Sequence, residues 1–401
     1  MSQIVAVRLL AFLAFLIGFG LPISTAADNL AAGLFLIVWL ITGYWRNRWQ
    51  RLRANPVSWA VGGLLLLAAV GCSWSMGSGQ ETLRYFSKYA SLLLALALLS
   101  VSFEAKLRSS VLLGFASAAL LTAVLSFAFK FGLLPLSWFP DRSPSNPVLF
   151  KLHITHGFFI AIGAYFWWVQ AWEFENPRWR FVYLVAALVT AANVLVVEGR
   201  TGYLVLASLL IYLFVQRYRW RGALLSVGLL VGLVLLASQF PESAGSRRFA
   251  LAIEELQAWW HNAAVDEGSS MGLRMQFAIN SLRLIAEHPW IGVGTGGYEA
   301  AYRALVPAGS VIANNPHNQY LLTTAQFGLL GFLLLAGMFV VLWRATQAMS
   351  DRDRLQARGF LIAYLVGNLF NSFLYDHAEA HLFAWGIGLM FYRATPTKSL
   401  N

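Results

Sequence analysis

Three residues of this chain have side chains and neighbours that could support chemistry: Arg200, Arg274 and His317. Arg200 lies in the short polar link EGRTG between two apolar runs, so its guanidinium must lie at or just inside a membrane interface. Arg274 lies in residues 271–287, where apolar residues recur at helical spacing. A guanidinium can hold a phosphate through two parallel hydrogen bonds. Both arginines are therefore candidate anion-binding residues; the alternative is a snorkelling Arg200 and a solvated Arg274.

The third candidate, His317, lies in the sequence NNPHNQY directly before an apolar run. This pattern predicts a helix whose N-cap is Asn315, whose first residue is Pro316 and whose first turn contains His317. The positive end of the helix dipole disfavours a charged imidazole, so the ring is expected to be neutral. A neutral imidazole in a water-accessible cleft can act as a general base. The alternative is a histidine that only forms hydrogen bonds at the interface.

Two further motifs carry weaker signals. Residues 292–297, GVGTGG, resemble a dinucleotide loop, but no strand precedes them, so we expect them to turn the chain between two helices. A phosphate-binding nest is the alternative. His377 and His381 are four residues apart, a spacing that can bind zinc, but the HExxH order is absent. Cys72 is the single cysteine, which excludes an internal disulfide and a cysteine-based zinc site. No metal site and no cofactor are predicted.

The composition indicates what kind of structure must position these residues. The chain of 401 residues is 58% hydrophobic and 12% charged, whereas a soluble domain carries about 25% charged residues. This deficit is too large for one buried core, so the remaining surface must face lipid. The net charge of +11 does not indicate nucleic-acid binding, because the basic residues recur in short groups between apolar runs. We therefore predict an all-α polytopic membrane protein.

A helix needs about 20 apolar residues to cross a membrane. On this rule we predict about twelve transmembrane helices, an even number that places both termini on one side. The first, which contains Arg8, could instead be a signal peptide cleaved near Ala27, and we interpret it as a membrane helix. The predicted spans are residues 5–25, 28–45, 57–73, 85–103, 110–131, 152–172, 181–197, 202–217, 222–240, 318–343, 358–375 and 378–393.

Lysine and arginine are concentrated in alternate connections between these spans, for example in residues 46–53, 217–221 and 344–358. Cytoplasmic loops carry an excess of these residues, so both termini are predicted to be cytoplasmic and the three candidate residues to lie on the opposite face.

Three regions follow from this topology. Residues 1–240 hold nine transmembrane helices, residues 241–317 form a large non-cytoplasmic insert, and residues 318–401 hold three more helices and a cytoplasmic tail. Within the insert we predict helices over 246–265 and 271–287.

These motifs, in this order and on one face, resemble the O-antigen ligases of lipopolysaccharide biosynthesis, in the superfamily that also contains O-antigen polymerases. The resemblance rests on Arg200 in GRTG, on Arg274, and on the sequences HPWIGVG (residues 288–294) and PHNQYL (residues 316–321). Gly199 departs from the family pattern, which usually has serine or a similar small residue before the first arginine.

The resemblance implies an inverting, metal-independent membrane glycosyltransferase of the C-type fold group, with a periplasmic active site in the bacterial inner membrane. Its donor would be a polysaccharide on undecaprenyl diphosphate and its acceptor a sugar hydroxyl of the lipid A–core. Arg200 and Arg274 would bind the diphosphate, which needs a positive partner when no metal is present. His317 would be the base. Candidate acceptor-binding or auxiliary residues are Lys88, Lys151, Arg303 and Asp376.

Two alternatives remain open at this point. An O-antigen polymerase would use the same donor chemistry with a second lipid diphosphate as the acceptor. A polysaccharide or lipid transporter or flippase belongs to a different class, but transporters commonly place ionisable residues near the membrane midplane. Here the polar residues gather at one rim of the predicted spans.

Overall fold

The computed structural model describes residues 3–239, 250, 254, 257 and 270–392. Over these residues the chain is helical, and the β-type pairing that they contain is a single bridge between Ser143 and Asn146. The helix predicted over residues 246–265 lies outside the described residues, apart from the isolated positions 250, 254 and 257.

The helices of the described part follow the apolar runs closely. In chain order they are α1 (Gln3–Gly20), α2 (Thr25–Thr42), α3 (Trp45–Ala54), α4 (Pro56–Val70), α5 (Gly79–Tyr89), α6 (Ser91–Leu99), α7 (Ala105–Lys130), α8 (His153–Glu173), α9 (Pro177–Val196), α10 (Arg200–Tyr218), α11 (Trp220–Ser238), α12 (Ser270–Glu287), α13 (Tyr298–Leu305), α14 (Gln319–Ala345), α15 (Asp351–Gly367) and α16 (His377–Met390).

Seven helical segments in the described part are long and apolar enough to cross a membrane, and each coincides with a predicted span. They are Gln3–Gly20, Thr25–Thr42, Pro56–Trp74, Ala105–Lys130, Pro177–Val196, Arg200–Tyr218 and Gln319–Ala348. The total of twelve spans and the periplasmic insert stay predictions.

Two predicted spans differ from the structure: residues 85–103 contain the end of α5 and the separate helix α6, and the span over 358–375 is wrong in its second half. The sequence pattern predicts a helix over 358–375, but α15 ends at Gly367 and residues 368–376 form turns. Hydrogen bonds to the start of α14 hold these turns: Gln319 donates its N–H to the Asn368 carbonyl at 2.9 Å, and its side-chain oxygen accepts from the Leu374 N–H at 2.9 Å. Phe373, Leu374 and Tyr375 of this segment are buried, while its backbone is bonded to another helix.

The main core includes contacts between α1, α7, α8 and α16. Trp385 of α16 is fully buried, and its indole N–H donates to the Ala14 carbonyl at 2.7 Å. Its ring packs against Gly18, where any larger side chain would overlap with it. Helix α1 is therefore packed into the bundle, in agreement with its interpretation as a membrane helix.

Helix α14 is broken at Gly328, whose φ of 62° is accessible to glycine at little cost. The segment after α12 docks into this break. Leu329 donates its N–H to the Pro289 carbonyl at 2.7 Å, and a side chain at position 328 would overlap with the backbone of Trp290.

The glycine-rich residues 292–297 complete this docking. The Gly294 N–H donates to the Gln326 carbonyl at 2.8 Å, and the Thr295 N–H donates to the Gly71 carbonyl at the end of α4 at 3.0 Å. These N–H groups are bonded within the protein and are not available to a phosphate. The predicted turn between two helices is confirmed, and the alternative of a phosphate nest is wrong.

Candidate active site

His317 lies in a turn before α14 and not within it. The helix begins at Gln319, and its N-cap is Asn318, whose side chain accepts from the Leu321 N–H at 2.9 Å. His317 has a φ of 51°, and its N–H donates to the side-chain oxygen of Asn315 at 2.9 Å. The predicted helix start at Asn315 and Pro316 is therefore wrong. Asn315 closes a local turn instead, because asparagine readily bonds to the backbone two residues further on.

His317 and Arg274 come together at this turn. The ring of His317 stacks on Phe277 of α12, with ring centroids 6.2 Å apart and planes inclined by 27°. Arg274 is three residues before Phe277 and lies on the same side of that helix. Burial lowers the pKa of His317, and the positive charge of Arg274 lowers it further. Both effects favour the expected neutral ring, and they arise from burial and Arg274 rather than from a position inside the helix.

Helix α12, which carries Arg274, is fixed by polar contacts to α13. The hydroxyl oxygens of Ser281 and Tyr298 are 2.7 Å apart, and Asn280 donates its side-chain N–H to the Tyr302 hydroxyl at 3.0 Å. These four side chains are buried. Their contacts set the rotation of α12 and hence the direction in which Arg274 projects.

Arg200 is the first residue of α10, and the backbone around it packs closely on α8. A side chain on Gly199 would come within 2.7 Å of the His153 carbonyl, and one on Gly202 within 2.9 Å of the Gly157 Cα. This close approach explains why glycine stands at position 199, where the resembling family usually has serine. Thr201 accepts a hydrogen bond from the Asn371 side chain at 2.9 Å.

The turns over residues 368–376 connect the start of α10 to the turn that holds His317. Asn371 donates to Thr201, and the neighbouring Ser372 donates to the Asn315 side-chain oxygen at 3.2 Å. The same oxygen accepts from the His317 N–H. We call the region that contains Arg200, Arg274 and His317 the arginine cluster. The sequence analysis does not predict a role for Asn371 and Ser372. The signal that could have indicated them is a pair of polar residues inside an apolar run.

Lys88 and Asp376 lie next to the arginine cluster. The Lys88 ammonium is 3.4 Å from the ring centroid of Tyr375, and that ring packs 4.6 Å from the ring of Tyr85. Tyr85 in turn donates a hydrogen bond to the Asn314 carbonyl, at the start of the His317 turn. Burial raises the pKa of Asp376 to about 6, while the positive charge of Lys88 opposes this shift.

The two other candidate auxiliary residues are bonded to different partners. Arg303 on α13 is paired with Glu299 at 3.2 Å, and its side chain is 63% exposed. Lys151 is buried and donates to the Thr25 hydroxyl at 2.7 Å at the start of α2. The described contacts therefore connect Lys88 and Asp376 to the His317 turn, whereas Arg303 and Lys151 are bonded to other residues.

One group of side chains in the described part has the composition of a metal site. Asp28, His377 and His381 each offer a donor atom, and these atoms lie within 4.8 Å of one another. We call this group the Asp28 cluster. It adjoins Asp376 in the chain but contains neither arginine of the arginine cluster.

Comparison with known proteins finds a family match over the part of the chain that contains the arginine cluster. Residues 185–336 match the family model described as O-antigen ligase. An uncharacterized protein of Haemophilus influenzae is 24% identical over 258 residues, which are 61% of this chain and 61% of that protein. The match thus spans less than two thirds of the relative's length. The residues that match the family model include Arg200, Arg274 and His317. Residues 185–336 are thus similar to the O-antigen ligase family, and this match supports membership of the O-antigen ligase superfamily.

Proposed function

We propose that the protein is an O-antigen ligase that transfers a polysaccharide from undecaprenyl diphosphate to a sugar hydroxyl of the lipid A–core. The observation that carries this proposal is the arginine cluster, in which Arg274 adjoins His317 and hydrogen bonds link the start of α10 to the His317 turn. An anion-binding pair beside a neutral imidazole matches the needs of a metal-independent transfer from a diphosphate.

The two arginines stabilise the leaving group in this proposal. As the bond between the anomeric carbon and the diphosphate oxygen breaks, negative charge grows on that oxygen. A planar guanidinium can bind two diphosphate oxygens at once, and donors placed where charge develops lower the barrier of such a step. Arg200 approaches from the start of α10 and Arg274 from α12.

His317 is the proposed base. Its neutral ring takes the proton of the acceptor hydroxyl as the oxygen attacks the anomeric carbon from the side opposite the diphosphate. The new glycosidic bond forms as the old bond breaks, so the configuration inverts. The ring then carries the proton and releases it to water. The lowered pKa of His317 keeps the ring in the form that this step requires.

The acceptor is proposed to approach past Lys88 and Asp376. Both lie on the side of the His317 turn that Tyr85 and Tyr375 define. A lysine can contact phosphates of the core, and a carboxylate can accept hydrogen bonds from sugar hydroxyls. These two residues orient the attacking hydroxyl and take no part in proton transfer.

Purified protein tests the proposal directly. In detergent and with excess chelator, it should transfer sugar from an undecaprenyl diphosphate oligosaccharide to lipid A–core. Transfer without a sealed compartment would exclude a transporter, whereas absence of transfer with both substrates present would contradict the ligase proposal.

A deletion strain separates ligase from polymerase. Loss of a ligase should leave full-length polymer on undecaprenyl diphosphate, while loss of a polymerase should leave single repeat units attached to the core. The second pattern would overturn the proposed acceptor and retain the donor chemistry.

The proposed orientation has its own test. We place the protein in the bacterial inner membrane with cytoplasmic termini and the arginine cluster on the periplasmic face. Cysteines introduced at Ser246 or Gly268 should react with impermeant reagents from the periplasm, and cysteines at Asn47 or Ser350 should not. Equal labelling of both pairs would contradict this orientation.

A further inference from the structure

The Asp28 cluster joins the two helices α2 and α16. His377 and His381 are one turn apart on α16, with ring centroids separated by 4.3 Å. Asp28 lies in the first turn of α2, and one of its carboxylate oxygens is 3.1 Å from Nδ1 of His381. Two imidazoles and a carboxylate are ligands that zinc and similar divalent transition metals prefer.

The spacing of these donors matches a metal-bound arrangement. Zinc bonds of about 2.0–2.2 Å in a tetrahedron place neighbouring donor atoms about 3.4 Å apart. The pair of Asp28 and His381 is at 3.1 Å, and the donor set of all three residues lies within 4.8 Å. Small side-chain rotations are therefore enough to bring the three donors onto one ion.

A second observation is an unsatisfied carboxylate. Asp28 is fully buried, and within the described part of the chain its oxygen Oδ1 has no hydrogen-bond partner. Leaving a buried charged oxygen without a partner is costly, so such groups are usually paired or bound to a metal. A cation held by Asp28 and the two histidines would remove this cost.

The neighbouring ammonium groups of Lys151 and Lys88 do not fully compensate the buried charge of Asp28. Lys151 faces Asp28, but it also faces Glu379, and its shortest described contact is with the Thr25 hydroxyl at 2.7 Å. Lys88 faces Asp376. Each lysine thus has a carboxyl group besides Asp28 near it.

The ring orientation and the access route also suit a metal. The Asn29 side-chain oxygen lies 2.7 Å from Nε2 of His377, and a hydrogen bond of this kind commonly fixes the orientation of a metal-binding imidazole. His377 is exposed while Asp28 is buried, so an ion can enter from the side of His377 and reach the carboxylate.

We propose that Asp28, His377 and His381 bind one divalent transition-metal ion, for which zinc is the best match, and that the ion fastens α2 to α16. A water molecule would complete the four ligands. The ion would join the two helices and lie outside the transfer chemistry, so the proposal is independent of the proposed ligase activity.

Zinc binding to the full-length protein, purified without a polyhistidine tag, tests the proposal. Titration with Zn²⁺ against a competing chelating dye should give one site per chain in the wild type. His377→Gln and Asp28→Asn should each weaken binding at least about tenfold, since even the outer hydrogen-bonding partners of metal ligands contribute about 10- to 100-fold. His288→Gln, which removes a histidine outside the cluster, should bind zinc as the wild type does.

Thermal unfolding in detergent supplies the second measurement. Zinc should raise the Tm of the wild type and of His288→Gln and leave the Tm of the two cluster variants unchanged. If Asp28→Asn fails to fold, the exposed His377→Gln decides the matter alone. Absence of stoichiometric binding by the wild type, or equal affinity in His377→Gln, would overturn the proposal.

Discussion

The arginine cluster and the Asp28 cluster contain the same residue type in opposite electrostatic surroundings. In the first, His317 lies beside Arg274, whose charge lowers the pKa of the ring. In the second, His381 lies 3.1 Å from the carboxylate of Asp28. A cationic neighbour disfavours both protons and metal ions, so it leaves an imidazole free to act as a base. An anionic neighbour favours cations. The neighbouring charge therefore distinguishes His317 from His381, whereas His377 has both Asp28 and the ammonium groups of Lys151 and Lys88 near it.

The largest effect on transfer or on zinc binding is expected when one histidine of either cluster is replaced by glutamine. His317→Gln should reduce in vitro transfer by about 100- to 10,000-fold, the usual contribution of a positioned general base, and should leave zinc binding intact. His377→Gln should do the reverse, with zinc binding lost and transfer retained. The transfer rate and the zinc affinity should be measured on both variants. Near wild-type turnover in His317→Gln would contradict the proposed difference between the two clusters.

Replacing either arginine by lysine tests whether geometry or charge matters in the arginine cluster. Arg200→Lys and Arg274→Lys should each lower kcat by about 100- to 1,000-fold, because lysine is a point charge and cannot form the two-pronged contact. Arg303→Lys, at an exposed position, is the matched control and should be close to wild type. Nearly silent substitutions at positions 200 and 274 would show that general electrostatic attraction is sufficient.

The pH dependence of transfer sharpens the role of Arg274. Since the base must be neutral, the rate should fall as the pH drops through the lowered pKa of His317. Removing the positive neighbour in Arg274→Gln should raise that pKa, so the acidic limb of the residual activity should move to higher pH. A limb that stays in place would assign the titration to another group.

Asp376 is the group to exclude in that experiment, because its pKa of about 6 lies in the same range. The acidic limb should therefore persist in Asp376→Asn. If it disappears there and persists in His317→Gln, Asp376 and not His317 controls the activity.

The smallest effect on transfer is expected at Asn371, which connects the start of α10 to the turn that holds His317. Asn371→Ala removes the hydrogen bond to Thr201 and should lower transfer about fivefold, which corresponds to about 1 kcal/mol for one hydrogen bond. Ser208→Ala, further along α10 and half-buried, removes a hydrogen bond within the helix and should have no effect on transfer. A change in kcat without a change in Tm would indicate lost positioning, while parallel losses would indicate a purely structural role.

The amino-acid sequence alone determined the helical membrane character and the identity of the residues in the arginine cluster. Runs of about 20 apolar residues are a local property, and seven of the predicted spans coincide with membrane-length helices. The motifs around Arg200, Arg274 and His317 are also local, which is why they could be read before any fold was known.

Only the tertiary structure decided where these local features begin, end and meet. His317 lies outside α14 because the Asn315 side chain accepts from the His317 N–H in the preceding turn, while Asn318 caps the helix by accepting from the Leu321 N–H. Periodicity does not report which asparagine closes the turn and which caps the helix. Residues 368–376 look like membrane helix by composition, but their backbone is bonded to α14 and their polar side chains to α10 and the His317 turn.

The Asp28 cluster is the clearest case of long-range determination. The spacing of His377 and His381 is visible in the sequence, but the HExxH order is absent there, and the sequence analysis predicts no metal site. Asp28 is 353 residues from His381 along the chain, and only the packing of α2 against the start of α16 brings its carboxylate to that histidine. Ligands from distant helices leave no spacing pattern, because their separation is set by the path of the whole chain and not by the pitch of one helix.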